Sequence, residues 1–246
     1  MMTSCISIKI AVFLFVAAHS QLSFMSSVNA QDSSGCKNGS VVVIDATPSE
    51  RVDACKAFTD VVTYFHNIGF SSSPNISITF QDSNFDTSGH ASSTYGYFDA
   101  TRSKILVYRA STARPWGLNW DRQLASSFLI HELVHAALQA NLKGKFSHLR
   151  PAWHEFISYS VQLDLMDTRL RSRLLERYSH IIAFGELTEV NEFSSRMNPE
   201  IFAIGAYKTY LANGADKFIQ NLLRFEVQPP PMSYPFPVLP GQIPEQ

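Results

Sequence analysis

The sequence predicts an α+β domain, and three observations predict it. The first half of the chain carries short apolar runs of strand length around one strong helix start, and from Asn119 onward the apolar period turns helical. Of its 246 residues, 45% are hydrophobic and 17% charged, against roughly 25% charged in an average soluble domain, so there is ample material for a core. That composition excludes a disordered or fibrous chain. Basic and acidic residues nearly cancel, 20 against 21 for a net charge of -1, which argues against nucleic acid as a partner.

Residues 1–30 read as a signal peptide: Lys9 gives a sparse positive start, Ile10 to Ala18 an apolar stretch, and Val28-Asn29-Ala30 a small-residue cleavage site. The apolar stretch is too short to span a bilayer, and no later one is longer, so the mature chain is expected to be secreted or periplasmic, without a stable membrane anchor, and monomeric. Residues 31–227 form the folded domain. The remaining 228–246 hold 7 prolines in 19 positions, a density that forbids a helix or central strand, and read as a Pro-rich tail. Cys36 and Cys55 are left as an even pair in an oxidising compartment, predicting a disulfide; the alternative is that Cys55 is a small buried hydrophobe on its helix.

Taken in order, Val41 to Ile44 fits a short buried strand. Thr47-Pro48-Ser49-Glu50 combines a capping box with proline at the first helical position, followed by apolar residues at helical spacing up to Gly69. Ile76, Ile78 and Phe80 alternate with polar residues, as in a half-buried strand. Thr94 to Phe98 and Lys104 to Arg109 flank the polar turn Asp99 to Ser103 and predict a hairpin. Helices follow at about Asp121 to Asn141, Pro151 to Met166, Thr168 to Phe184, Pro199 to Asn213, and a last one ending near Phe225.

The chemistry lies in the first of these later helices, which reads Phe128-Leu129-Ile130-His131-Glu132-Leu133-Val134-His135. Residues four apart on a helix share a face, so His131 and His135 can both offer an imidazole nitrogen to one ion. A catalytic zinc needs a third protein ligand, and Glu155 stands twenty residues after His135, across a connection long enough to fold its helix back. His148, in the connection, is an alternative third ligand; His154 points about 100° away from its neighbour Glu155. Leu138 and Asn141 occupy the places where a metzincin pattern would need Gly and His. A helix this apolar is buried, and burying two His and a Glu with neither partners nor metal would cost several kcal/mol.

HExxH followed by a Glu on the next helix, with Trp153 before it and Ser158 and Tyr159 after it, resembles the gluzincin zinc metallopeptidases. Phe156 stands where that family usually has Gly, and Tyr159 comes one position earlier than the usual Tyr. The resemblance implies a zincin-like fold with a small N-terminal α/β lobe carrying a twisted sheet, a helical C-terminal lobe, and Zn²⁺ in the cleft between. It implies His131, His135 and Glu155 as ligands, Glu132 as general base, and a peptide or protein substrate lying along the edge strand at Thr94 to Phe98. An oxyanion donor is expected from the C-terminal helices, with Tyr207 and Tyr210 as candidates. Tyr159 and Gln162 are placed to hydrogen-bond a ligand. The alternative function is a catalytically inactive, exported zinc-binding scaffold of the same fold.

Overall fold

The computed structural model describes residues 34–36, 40–82, 96–109 and 114–227; the signal segment, the Pro-rich tail, and Thr94 and Tyr95 of the expected hairpin lie outside them. The chain is mixed α and β, as expected. Its strands are β1 (Ser34–Gly35), β2 (Val41–Ile44), β3 (Ile76–Gln81), β4 (Gly96–Asp99) and β5 (Lys104–Tyr108), joined in one sheet of order β1-β2-β3-β5-β4. Its helices are α1 (Pro48–Asn67), α2 (Arg122–Leu142), α3 (Pro151–Leu165), α4 (Thr168–Arg177), α5 (Glu192–Met197), α6 (Pro199–Ala212) and α7 (Asp216–Leu223).

The capping box starts α1 as its residues dictate. The Thr47 side chain accepts from the Glu50 amide at 3.3 Å, and Glu50 Oε2 accepts from the Thr47 amide at 2.7 Å. The helix buries Ala54, Ala57, Phe58, Val61, Tyr64 and Phe65, a stripe at helical spacing. It is the crossover between β2 and β3, which are parallel, and β3 is parallel in turn to β5. That central position explains a departure from simple alternation in β3, where Thr79 is buried along with Ile76, Ile78 and Phe80.

Register carries the core rows across the sheet. Val43 pairs with Ile78, Ile78 with Ile105, and Ile105 with Phe98; Phe80 pairs with Val107, and Val107 with Gly96. Because side chains alternate along a strand, Gly96 and Phe98 of the edge strand β4 share the face that packs on the helices. The antiparallel β4/β5 pair is the expected hairpin.

At the opposite edge, β1 pairs antiparallel with β2, a strand too short to leave an apolar pattern. Cys36 follows it and is disulfide-bonded to Cys55 on α1, as expected. This bond is compatible with an exported protein. Among the described residues, no helix is long and apolar enough to cross a membrane.

In the helical half, α4 stops at Arg177 instead of continuing to Phe184. Lys208 of α6 donates to the carbonyl oxygens of Tyr178 and Ser179 at 3.2 and 3.3 Å and to that of Ile181, satisfying backbone groups that a longer helix would have paired. The short α5 begins at Asn191, whose side chain accepts from the Ser194 amide at 3.0 Å.

Candidate metal centre

Asp121 caps α2 by accepting from the Leu124 amide at 2.8 Å. The helix is buried on almost every side, with Ser127 through Leu138 largely enclosed, because α3 and the sheet both pack on it. Pro151 opens α3 after a 3-10 stretch from Lys143 to His148 turns the chain back. Antiparallel return brings Glu155 opposite the two histidines. His131 Nε2 lies 3.3 Å from Glu155 Oε2, His135 Nε2 3.4 Å from Glu155 Oε1, and the two imidazole Nε2 atoms lie 3.1 Å apart.

These distances test whether a metal fits. Three ligands bonded at about 2.0–2.1 Å in tetrahedral directions around one ion stand about 3.3 Å from each other. The two Nε2 atoms keep that spacing from each other and each keeps it from one of the two Glu155 oxygens, and one donor atom from each residue lies within 4.8 Å of the others, so His131, His135 and Glu155 form a group that could hold a metal ion. His131 is buried, while Glu155 keeps 35% of its side chain open to the cavity. Burial by itself would raise the Glu155 carboxyl, but the imidazoles of His135 and His131 outweigh it and hold the group well below the usual carboxylate range. For His135, burial pulls down and the facing carboxylate pulls up, with the carboxylate prevailing.

The group opens into a cavity of about 490 Å³. Glu132 lines it, as do Tyr97 and Phe98 of β4, Phe128 of α2, Phe146 of the 3-10 turn, Tyr159 of α3 and Pro199 of α6. Gly96 lets β4 lie this close to β5: a Cβ there would meet the Leu106 carbonyl oxygen at 2.7 Å, whereas Glu132 Cγ would stand at an ordinary contact distance of 3.8 Å. Trp116 and Trp120 stack on Phe128 with ring centroids 5.2 and 5.7 Å away, packing the start of α2 behind the cavity wall.

Behind the ligands runs a buried polar chain. His131 Nδ1 is 3.1 Å from Gln162 Oε1, Gln162 Nε2 donates to Ser127 Oγ at 3.3 Å, and Ser127 Oγ donates to the Leu124 carbonyl at 2.8 Å. Of the two candidates for supporting a ligand, Gln162 bonds His131, and Tyr159 lays its ring 4.4 Å from that of His131. Ser127 was not anticipated, although a serine one turn before His131 in an apolar helix is a legible signal.

The other expected residues fall elsewhere. Tyr207 and Tyr210 are buried in the helical core, and neither lines the cavity; Tyr210 donates to Asp216 Oδ1 at 2.6 Å and stacks on Tyr207 at 5.9 Å. Burial first of all pushes both hydroxyls above their ordinary value. His148 is exposed with its ring 5.9 Å from Phe225, outside the ligand group. His154 donates through Nε2 to the Phe146 carbonyl at 3.1 Å, and burial, followed by the charge of His135, pushes it down to about 4. It thereby fastens the cavity's Phe146 wall to the helix that carries Glu155.

A family model described as "Family of unknown function (DUF6639)" matches residues 41–229, a span that holds β2 to β5, the helices and every ligand of the group. No curated protein and no solved structure matches the chain.

Proposed function

This chain belongs to the DUF6639 family, and we propose from its site that it is an exported, zinc-dependent metallopeptidase of zincin-like fold and gluzincin type. The observation that carries the reading is the convergence of two imidazoles and one carboxyl from two helices, the Nε2 atoms 3.1 Å apart and 3.3 and 3.4 Å from the two Glu155 oxygens, with Glu132 lining the same cavity. Two imidazoles and one carboxylate suit zinc better than magnesium or calcium, which prefer oxygen ligands alone. A zinc ion held there would supply a Lewis acid that polarises a peptide carbonyl and acidifies water.

The protein's own groups do the rest. Glu132 accepts a proton from the attacking water and returns it to the leaving amine, a role open to a carboxylate that faces the cavity beside a ligand. Among the described residues β4 has a strand on one side only, which leaves the other for a substrate backbone to join, and Tyr97, Phe98, Phe128 and Phe146 offer apolar and aromatic walls to its side chains. Tyr159, in the cavity and against His131, takes over the oxyanion-donor role expected of Tyr207 or Tyr210.

Metal analysis and a chelator-sensitive assay on a mixed peptide library test this together. Wild type should hold one equivalent of zinc and cleave; Glu155→Ala should lose the metal. Glu132→Gln should keep zinc while turnover falls by about 10²–10⁴, the usual contribution of general acid–base catalysis. A metal-free wild type, or full activity in E132Q, would overturn the proposal.

A further inference from the structure

We infer that Leu124, Ser127 and Gln162 form a positioning relay that sets the tautomer of His131 before any metal arrives, so that the ligand site is pre-formed. The inference rests on the metal-binding part of the proposed function and not on peptide cleavage. Its argument is one of hydrogen accounting. The Leu124 carbonyl can only accept, so the single hydroxyl hydrogen of Ser127, 2.8 Å away, is committed to it. Ser127 Oγ must then act as acceptor toward Gln162, which places the amide nitrogen Nε2 on that side, at 3.3 Å. The same amide consequently turns its oxygen Oε1 to His131, and an oxygen 3.1 Å from Nδ1 requires that nitrogen to carry hydrogen. With Nδ1 committed to Gln162, Nε2 is the nitrogen left to face Glu155 and His135, and it is the one a metal would take.

Burial makes the direction hard to reverse. Gln162 is 0% exposed, Ser127 2% and His131 5%, so no solvent can substitute for a lost partner, and each reversed bond would leave a buried polar atom unmatched. Gln162 reaches this point because it lies seven residues after Glu155, two turns along the same face of α3. One helix therefore supplies both a ligand and the support for another ligand. The relay ends on a neutral amide and a backbone carbonyl, so it orients His131 without adding a negative charge behind it.

Nitrogen-15 NMR of the imidazoles in the metal-free protein, together with zinc affinity by competition against a chromophoric chelator, tests the relay. Wild-type His131 should show hydrogen on Nδ1. Gln162→Met, close in volume but without the amide, should fold as wild type by circular dichroism, lose the fixed tautomer and bind zinc about 10- to 100-fold more weakly, the usual cost of removing a ligand's supporting partner. Should that variant not fold, Ser127→Ala, a far smaller change, must by itself weaken zinc binding and release the tautomer. No hydrogen on Nδ1 of His131 in wild type, or unchanged affinity in the folded variant, would overturn the inference. Neither measurement uses substrate: a wild type that binds zinc through a fixed His131 but cleaves nothing refutes the peptidase reading and leaves the relay standing, whereas a wild type that binds no zinc overturns both.

Discussion

Breaking the Cys36–Cys55 bridge should cost the fold about 3 kcal/mol and leave the metal centre intact. The bond closes a loop with a sequence separation of 19. On the chain-entropy account a loop of that size removes about 11 cal/mol/K from the unfolded ensemble, or about 3 kcal/mol at 25 °C. In a domain of this length each kcal/mol moves Tm by about 2–4 °C, so the expected fall is about 6–12 °C. The bridge anchors β1, whereas the metal group faces β4, and the strand order puts four inter-strand steps of about 4.8 Å between those edges. Differential scanning calorimetry of oxidised wild type, wild type in reductant and Cys36→Ser/Cys55→Ser, each with zinc content measured below Tm, separates the two effects. Reductant should lower wild-type Tm and leave the double variant unmoved, with zinc stoichiometry equal in all three. A drop of less than about 2 °C would refute the loop-entropy reasoning, and metal lost at temperatures where the fold persists would refute the independence of the two edges. A chain kept in a reducing compartment would lack this contribution.

Three further perturbations probe the parts that support the site. Gly96→Ala forces a Cβ toward the Leu106 carbonyl oxygen, 2.7 Å away on rigid backbone, and should destabilise by about 1–3 kcal/mol in a urea titration; an unchanged midpoint would mean that β4 can slide away from β5. Arg109 pairs with Glu50 at 2.8 Å, and although burial works against it, this pairing holds the Glu50 carboxyl below its ordinary value. A depressed carboxyl stabilises above its unfolded pKa of 4.5 and loses that contribution as pH falls through its lower folded value. The Tm gap between wild type and Arg109→Met should therefore be widest at about pH 6 and narrow toward about pH 3, and a gap that stays constant over that range would sink the assignment. Lys208→Met leaves the Tyr178, Ser179 and Ile181 carbonyls without their cation, so amide exchange across residues 178–184 should quicken while α3 stays protected.

Local signals were legible where the physics is local. The Thr47 to Glu50 capping box, the Val41 to Ile44 run and the prolines opening α3 and α6 each act within a turn of backbone, and each element begins where those residues place it. The metal pair His131 and His135 was legible for the same reason, since one helix sets their separation. The end of α4 was not, because the group that takes its trailing carbonyls arrives from Lys208, about thirty residues downstream. Nor was the displacement of Tyr207 and Tyr210 from the cavity: their spacing fits a site-facing and a core-facing helix equally, and what fills their hydroxyl environment, Asp216 in the case of Tyr210, is a matter of packing.

The sequence by itself determined that two imidazoles share a helix face, that a carboxylate lies on the following helix, and that two cysteines remain to pair, because covalent spacing and helical period decide those. Only the tertiary structure decided that Glu155, and neither His148 nor His154, completes the group, that Gln162 and Ser127 stand behind His131, and that glycine at position 96 lets the edge strand close on Leu106 of β5. Those outcomes depend on how closely α2, α3 and β4 approach one another, a quantity set by the volumes of side chains that meet across the core and written in no single stretch of chain.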